Sequence, residues 1–403
     1  MQKYGGTSVA NIDRLKKVAE RVVKTKQKGY NVVVVVSALG DTTDELVKKA
    51  HAITPNPPER EMDVLLATGE HVSISLLAMA IEALGQSAIS FSGPQAGIVT
   101  DTAHTKAKIM DIRADRLVDE LKEDKIVIVA GFQGESFEQN ITTLGRGGSD
   151  LTAIALAAKL GAERCEIYTD VDGVYTTNPR VVKEARKIPV ISYAEMLEMA
   201  ATGAEVMQLR AVEYGRNYDV EIHVRSSFNE EEGTVIKGED EMTEQPIISA
   251  VTFDTSQAKV TIQRVPDRPG IAASVFGSLA EANVNVDMIL QNVSEKGFTD
   301  ISFTVDENDL VKAKEVVQQV TDDLDAAGSS YDNSIASVSL VGAGMRTHPG
   351  VAARMFSTLA ENKINIEMIS TSPIKISCVI RRERMEDAVR ALHKAFDLEK
   401  QPT

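Results

Sequence analysis

The sequence predicts an α/β protein: a largely parallel sheet covered by helices over residues 1 to about 235, followed by two copies of a smaller α/β module. Three observations predict it. Short β-branched runs alternate with helical periodicity in the first part, the pattern of parallel strands joined by helical crossovers. An acidic, glycine-broken stretch (Asn229 to Gly233, then Gly238 to Glu241) interrupts that alternation, placing a linker at 236–246 and a second region at 247–403. Finally, Pro269–Ile289 aligns without gaps to Pro349–Ile369 with 11 of 21 positions identical, an offset of 349 − 269 = 80 residues, so the second region is a duplication.

In the first part, Val32–Val36 is five valines in a row and reads as a strand buried on both faces. Before it, Leu15, Val18, Ala19, Val22 and Val23 fall at i, i+3, i+4, i+7 and i+8, one apolar face of a helix. Ile126–Ala130, Glu166–Thr169 and Glu221–Val224 read as further strands, each ending in Gly, Asp or Ser. In open α/β sheets ligands bind at the carboxyl ends of the strands, so a site is expected there. Each repeat of the second region reads strand, Pro-Gly turn, helix, strand, strand, helix. The modules span about 258–330 and 335–403. The second lacks a closing strand, and 247–253 is expected to supply it, since an unpaired edge is an aggregation hazard.

Composition excludes several classes of function. Hydrophobic residues make up 43% and charged residues 26%, with a net charge of −15. That balance disfavours a grip on nucleic-acid phosphates, and no basic patch interleaved with aromatics occurs. No apolar run suggests a membrane span and the N-terminus carries no secretory pattern, so a cytoplasmic protein is expected. Cys165 and Cys378 stand far apart in apolar contexts and read as buried reduced thiols.

Three segments carry chemistry. Lys3-Tyr4-Gly5-Gly6-Thr7-Ser8 offers backbone N–H groups and a mobile cation to an anion, although a Gly-Gly pair also suits an ordinary strand-to-helix turn. Leu144-Gly145-Arg146-Gly147-Gly148-Ser149-Asp150 precedes the alanine-rich helix Leu151–Leu160. Ser149 or Asp150 is placed to cap it, and Arg146 presents a planar fork to a carboxylate or phosphate. Thr169-Asp170-Val171-Asp172-Gly173 with Tyr175 and Arg180 combines carboxylates, an aromatic and an arginine, suited to Mg²⁺, an adenine face and a phosphate, or else to a simple Asp-Gly hairpin turn.

In this order these segments resemble the amino-acid kinase family. KYGGTS, VSALGDTTD, LLATGE, GFQG, TTLGRGGSD and TDVDGVYTTNPR together are similar to aspartate kinases, and the repeat is similar to their tandem ACT modules. The resemblance runs over essentially the whole chain. It implies an amino-acid kinase fold followed by two ACT-type βαββαβ modules, and ATP-dependent phosphorylation of the L-aspartate side chain, the first step toward lysine, threonine and methionine, with Mg²⁺ arriving on the nucleotide.

Carried over by position, Lys3 is expected to stabilise the transferring phosphoryl group, with Gly5, Gly6, Thr7 and Ser8 lining its loop. The resemblance places Ser37 and Thr43 near the substrate side chain and the phosphates, and Glu70 on its ammonium. Arg146 takes its α-carboxylate, with Gly147, Gly148, Ser149 and Asp150 completing the pocket. Thr169, Asp170, Tyr175 and Arg180 frame ATP. Effector sites for lysine, threonine or both are implied at Asp267, Asn285, Val286, Asp287 and Gln291, and at Val351, Ala352, Asn365, Ile366, Thr371 and Ser372. A homodimer or higher oligomer through the ACT modules follows, with a separate regulatory subunit started at Met242 as a further expectation.

Several departures stand out. Similar enzymes carry apolar residues before the position of Lys3, so a missing first strand and a displaced Lys3 are expected. Asn178 replaces a common Asp, and Pro373 replaces a common Glu, predicting weaker lysine feedback. His71 and His104 read as packing residues rather than catalysts. A kinase for glutamate or N-acetylglutamate, or a catalytically inactive amino-acid sensor, are the alternatives.

Overall fold

β-Branched runs bounded by turn residues become strands, and periodic segments become helices. The structure, a computed structural model, describes residues 1–400 other than Glu205, 240–246 and 293–296. The first part contains β1 (Gln2–Tyr4), α1 (Ile12–Gln27), β2 (Val33–Val36), α2 (Thr42–Ile53), α3 (Glu59–Ala83), β3 (Ala88–Phe91), β4 (Ile98–Thr100), β5 (Ile109–Ile112), α4 (Asp115–Lys122) and β6 (Ile126–Ala130). It continues with β7 (Gln133–Ser136), β8 (Ile141–Thr143), α5 (Gly148–Leu160), β9 (Cys165–Thr169), β10 (Val190–Ser192), α6 (Tyr193–Ala201), α7 (Leu209–Asn217), β11 (Ile222–Ser226) and β12 (Thr234–Lys237).

Eight of these strands form one sheet in the order β10-β12-β11-β9-β1-β2-β6-β3. From β11 to β3 every neighbouring pair is parallel, and β12 turns antiparallel to β11 at one edge. The expected missing first strand is corrected: Gln2–Tyr4 lies between β2 and β9, so three residues paired on both sides hold Lys3 in the centre of the sheet. Leu15, Val18, Ala19, Val22 and Val23 of α1 are all buried, in a core shared with Val34, Val36, Leu77 and Ile128. A second sheet, β5-β4-β7-β8, ends at β8, which leads into the glycine-rich loop before α5.

The reading that no run is apolar enough for a membrane also needs correction. By length and composition α3 passes that test, with a mean hydropathy of 1.7 over its most apolar window. It is instead a core helix. Leu66, Ala67, Ile74, Leu77 and Ile81 are buried, and two carboxylates, Asp63 and Glu70, are buried seven residues apart on the same helix.

The C-terminal unit contains β13 (Ala250–Asp254), β14 (Gln257–Pro266), α8 (Ile271–Glu281), β15 (Ile289–Gln291), β16 (Phe298–Asp306), α9 (Leu310–Asp323) and β17 (Gly328–Asp332). It closes with β18 (Ile335–Val341), α10 (Val351–Glu361), β19 (Met368–Ser372), β20 (Lys375–Arg381) and α11 (Met385–Ala395). The strands form two antiparallel sheets, β15-β16-β14-β17 and β13-β18-β20-β19. The repeat is visible in the backbone: Gly270 and Gly350 start α8 and α10 at φ +97° and +98°, a left-handed conformation that suits glycine. Strand β13 runs antiparallel to β18 at the position that β17 takes beside β14 in the first module.

The first boundary moves in two places. Ile236 and Lys237 belong to β12, not to a linker, because the strand continues through them and pairs with both β11 and β10. Tyr175–Arg186 and Ala201–Ala204 belong with the C-terminal unit rather than with the rest of 1–235. Val182 is buried in the core of the second module, Val251 N–H donates to Thr176 O at 2.8 Å, and the Thr176 hydroxyl meets His393 Nε2 at 2.9 Å. Residues 240–246 of the expected linker, with Met242, lie outside the described residues. Cys165 and Cys378 are free and buried, and burial pushes both thiols up to about 12.

Candidate active site

The parallel strands β1, β2, β6 and β9 end at Tyr4, Val36, Ala130 and Thr169, and each is followed at once by one of the segments singled out from the sequence. Parallel register therefore gathers them at one end of the sheet. Ser37 N–H donates to Tyr4 O at 3.1 Å, Gly5 N–H to Tyr168 O at 3.2 Å, and Gly131 N–H to Val36 O at 3.0 Å, tying the four loops together just beyond the strands.

Lys3 is buried in β1, and its Nζ lies 2.6 Å from Asp150 Oδ1 in the first turn of α5. Both side chains are nearly out of solvent, so neither is free to wander. Among the described residues Asp150 is the one ion-pair partner of Lys3, and it fixes the ammonium in place. Gly6 packs closely here, since a Cβ there would lie 3.0 Å from the carbonyl oxygens of both Ala38 and Gly40. On the other side of Ala38, its N–H donates to Glu70 Oε1 at 3.1 Å. Gly69 makes that reach possible, since a Cβ there would stand 2.8 Å from the Ala38 methyl group.

The second oxygen of Glu70, Oε2, is buried and has no hydrogen-bond partner among the described residues. Burial pushes the Glu70 carboxyl up to about 7, outweighing the Ala38 N–H that favours its ionised form. An unsatisfied buried carboxylate oxygen demands a donor. An ammonium group meets that demand.

In the glycine-rich loop Gly145 and Gly147 adopt φ +79° and +66°. Gly147 itself precedes the first turn of α5, and no side chain caps the helix. This corrects the expected cap: Ser149 and Asp150 sit inside the first turn, which frees Asp150 for Lys3. Ser149 lies against Gly131, where a Cβ would approach its hydroxyl to 2.6 Å. Arg146 is exposed and has no ion-pair partner among the described residues. Gly148, Ser37 and Thr43 border the same loops, with Ser37 and Thr43 partly buried.

Ser8 is buried, and its hydroxyl donates to Ser227 Oγ at 2.9 Å. Ser227 in turn donates to Thr169 O at 3.0 Å. Thr7 is exposed, and Asp170 is exposed with one oxygen accepting from the Thr169 hydroxyl at 3.2 Å. Tyr175 and Arg180 belong to the C-terminal unit, so the segment expected to frame ATP is divided between the two units after Val174. No group of three or more metal-ligating side chains occurs among the described residues. Asp172 accepts from Asn229 Nδ2 at 2.7 Å, which leaves Asp170 as the exposed carboxylate for a cation carried by phosphates.

In the second ACT-type module Val351, Ala352, Thr371 and Ser372 line one cavity of about 420 Å³, together with Pro373, Arg346 and His348. Asn365 is exposed and Ile366 packs against the module's core, so neither lines that cavity. In the first module Asp267, Asn285 and Gln291 are exposed, Val286 packs on the core, and Asp287 accepts from Gln257 Nε2 at 3.2 Å.

Sequence reasoning missed Ser227 and the backbone N–H of Ala38. Ser227 had a signal, because it ends the run that follows β11 at the carboxyl edge of the sheet. The Ala38 N–H had none, since any residue supplies one.

Comparison with known proteins places these features. Residues 2–226 match the amino acid kinase family, and 260–320 and 338–396 match an ACT domain. The aspartokinase of Mycolicibacterium smegmatis is 53% identical over 403 residues, 99% of this chain and 96% of that one. The structure of E. coli aspartokinase III in complex with aspartate and ADP, in its R-state, is 27% identical with a TM-score of 0.83, covering 98% of both chains. The same E. coli enzyme in complex with lysine and aspartate, in its T-state, gives a TM-score of 0.76 at 27% identity, again over 98% of both chains. With the family match over residues 2–226 and 53% identity across nearly the whole chain, the chain belongs to the amino acid kinase family and, within it, to the aspartokinases.

Proposed function

We propose that the chain transfers the γ-phosphoryl group of ATP to the side-chain carboxylate of L-aspartate, giving 4-phospho-L-aspartate and ADP, as the first step toward lysine, threonine and methionine. The observation that supports this most is the presence, at one end of the sheet, of the buried cation Lys3, held by Asp150, and of a buried carboxylate, Glu70, whose Oε2 lacks a partner among the described residues. L-Aspartate carries one ammonium and two carboxylates. Glu70 Oε2 accepts the ammonium, Arg146 takes the α-carboxylate as a bidentate fork, and the β-carboxylate is left to react. Ser149, Gly147, Gly148, Ser37 and Thr43 close the pocket around it.

No enzyme nucleophile is needed, because the substrate carboxylate is already ionised at pH 7. One of its oxygens forms a bond to the γ-phosphorus while the bond from that phosphorus to the bridging oxygen breaks, and the electron pair leaves on ADP. Lys3 faces the charge that spreads over the phosphoryl oxygens, and Asp150 holds its ammonium in place beforehand. The N–H groups of Gly6 and Thr7 add fixed dipoles to the same purpose, while those of Gly5 and Ser8 are bonded to Tyr168 O and Gly5 O and shape the loop. Thr169 and Asp170, at the end of β9, face the nucleotide. Asp170 would hold Mg²⁺, which would supply positive charge to the nucleotide's phosphates.

The E. coli aspartokinase solved with aspartate and ADP supports this substrate pair, and its lysine complex supports feedback by lysine. Lysine or threonine would act at the modules, where the cavity at Val351, Ala352, Thr371 and Ser372 suits a small amino acid. Association through the ACT modules, a separate regulatory subunit and a cytoplasmic location complete the reading. The test is ADP release with Mg-ATP and L-aspartate, L-glutamate or N-acetyl-L-glutamate, repeated with lysine and threonine singly and together. Turnover with aspartate alone among the three, suppressed by an effector, is expected; turnover with either other acceptor would overturn the substrate.

A further inference from the structure

The geometry assigns Asp63 and Arg210 to a brace that sets the position of Arg146, and we propose that this brace controls the affinity for the acceptor amino acid. The inference rests on the reading of Arg146 as the clamp for the substrate's α-carboxylate.

Arg146 stands on an exposed loop with left-handed glycines on both sides, at Gly145 and Gly147. Such a loop has many conformations open to it, so something must select one. Two sets of hydrogen bonds grip the residues immediately before it. From α3, the fully buried carboxylate of Asp63 accepts from the Thr143 hydroxyl at 2.5 Å, from His104 Nδ1 at 2.6 Å, and from Thr105 N–H at 3.0 Å. From α7, the Arg210 guanidinium donates to Leu144 O and to Ala107 O, each at 2.9 Å. Thr143 and Leu144 are consecutive and lead directly into Gly145-Arg146.

The two grips are joined into one circuit. Ala107 N–H donates to Thr143 O at 2.9 Å, so the segment His104–Ala107 is bound to Asp63 at one end and to Arg210 at the other. Gly145 lies against this segment, where a Cβ would come within 3.2 Å of Thr105 O. Gln208, just before α7, packs its side chain onto Gly147, within 2.5 Å of where a Cβ would stand. The loop is thus held before and after Arg146, while the Arg146 guanidinium itself is bound to nothing among the described residues.

Asp63 and Arg210 act through Arg146 and touch no reacting atom in this account, so they are positioning residues. A misplaced binding group of about 1 Å costs on the order of a hundredfold in a reaction that depends on it. The lost grip falls on the acceptor, since Lys3 and the loops of β1 and β9 are held by other bonds.

The test compares steady-state constants for four variants. Arg210→Met is expected to raise the KM for L-aspartate roughly ten- to hundredfold, with the KM for ATP nearly unchanged and kcat largely recovered at saturating aspartate; Arg210→Lys should recover part of the loss. Thr143→Val keeps shape and removes only one hydroxyl donor. It should raise the aspartate KM by roughly three- to tenfold, and it serves if Arg210→Met fails to fold. Arg146→Met separates the two claims. If it leaves the aspartate KM unchanged, the clamp reading fails. If it raises that KM while folded Thr143→Val and Arg210→Lys do not, or if those variants raise both KM values in proportion, the brace is refuted.

Discussion

Removing the ionisable group of Glu70 gives the sharpest prediction. Burial raises its carboxyl from an ordinary 4.5 to about 7, so without substrate it is about nine-tenths ionised at pH 8 and about one-tenth ionised at pH 6. If the ionised form accepts the substrate ammonium, the KM for L-aspartate rises about tenfold on going from pH 8 to pH 6, and aspartate binding near neutral pH releases part of a proton. The Glu70→Gln enzyme should bind aspartate weakly at both pH values and lose that slope, while any slope due to ATP or to the substrate's own groups remains in both proteins. Stability carries the opposite sign. Because the folded pKa lies above the unfolded one, the stabilising contribution is complete below about 4.5 and disappears as pH rises through 7, a change of about 3 kcal/mol from a shift of 7 − 4.5 = 2.5. Ligand-free Glu70→Gln should therefore melt above the parent at pH 8. The assays are initial rates across pH 6–8, calorimetric binding in two buffers of different ionisation heat, and thermal melts. A flat aspartate KM in the parent, or undiminished aspartate affinity in Glu70→Gln, would refute the reasoning.

Lys3→Met should lower kcat on the order of 10²- to 10³-fold, with the aspartate KM within a few-fold of the parent; kcat within tenfold would remove Lys3 from the phosphoryl site. Gly69→Ala forces a methyl group to 2.8 Å from Ala38 and is expected to cost about 1–3 kcal/mol in denaturant melts, while raising the aspartate KM because Ala38 and Glu70 move together. An unperturbed melt and KM would show that the helix yields there. Pro373→Glu restores a carboxylate beside the cavity at Thr371 and Ser372 and should strengthen inhibition by lysine, read as a lower half-inhibitory concentration. Unchanged inhibition would mean that Pro373 does not set the response.

Much of the fold was legible because burial pattern and chemistry coincide. Five valines in a row leave little choice but a strand covered on both faces, and an 80-residue repeat with identical Pro-Gly turns leaves little choice but two like modules. Strand β1 was not legible. Three residues, two of them polar, carry no hydrophobic signal, and only parallel pairing to β2 and β9 makes Gln2–Tyr4 a central strand. Tyr175–Arg186 was misassigned for a related reason: its apolar residues, Val181 and Val182, are too few to show in sequence which core they join.

The candidate site was legible where an unusual residue marked it. Lysine beside two glycines, and an arginine among three, are costly choices for ordinary turns. The direction of Asp150 was not, because Ser-Asp before a helix reads equally as a cap, and only the left-handed Gly147 shifts the helix start to leave Asp150 facing Lys3. Asp63 was invisible for the opposite reason. Within an apolar helix it resembles a stray polar residue, and its partners Thr143, His104 and Thr105 are brought to it only by the fold.

The central claim is that phosphorus ends on the aspartate side chain. An acyl phosphate is attacked by hydroxylamine, so the purified chain incubated with Mg-ATP, L-aspartate and hydroxylamine should accumulate the aspartate side-chain hydroxamate in step with ADP, and Lys3→Met should not. ADP formed without hydroxamate, or hydroxamate formed from glutamate instead of aspartate, would contradict it.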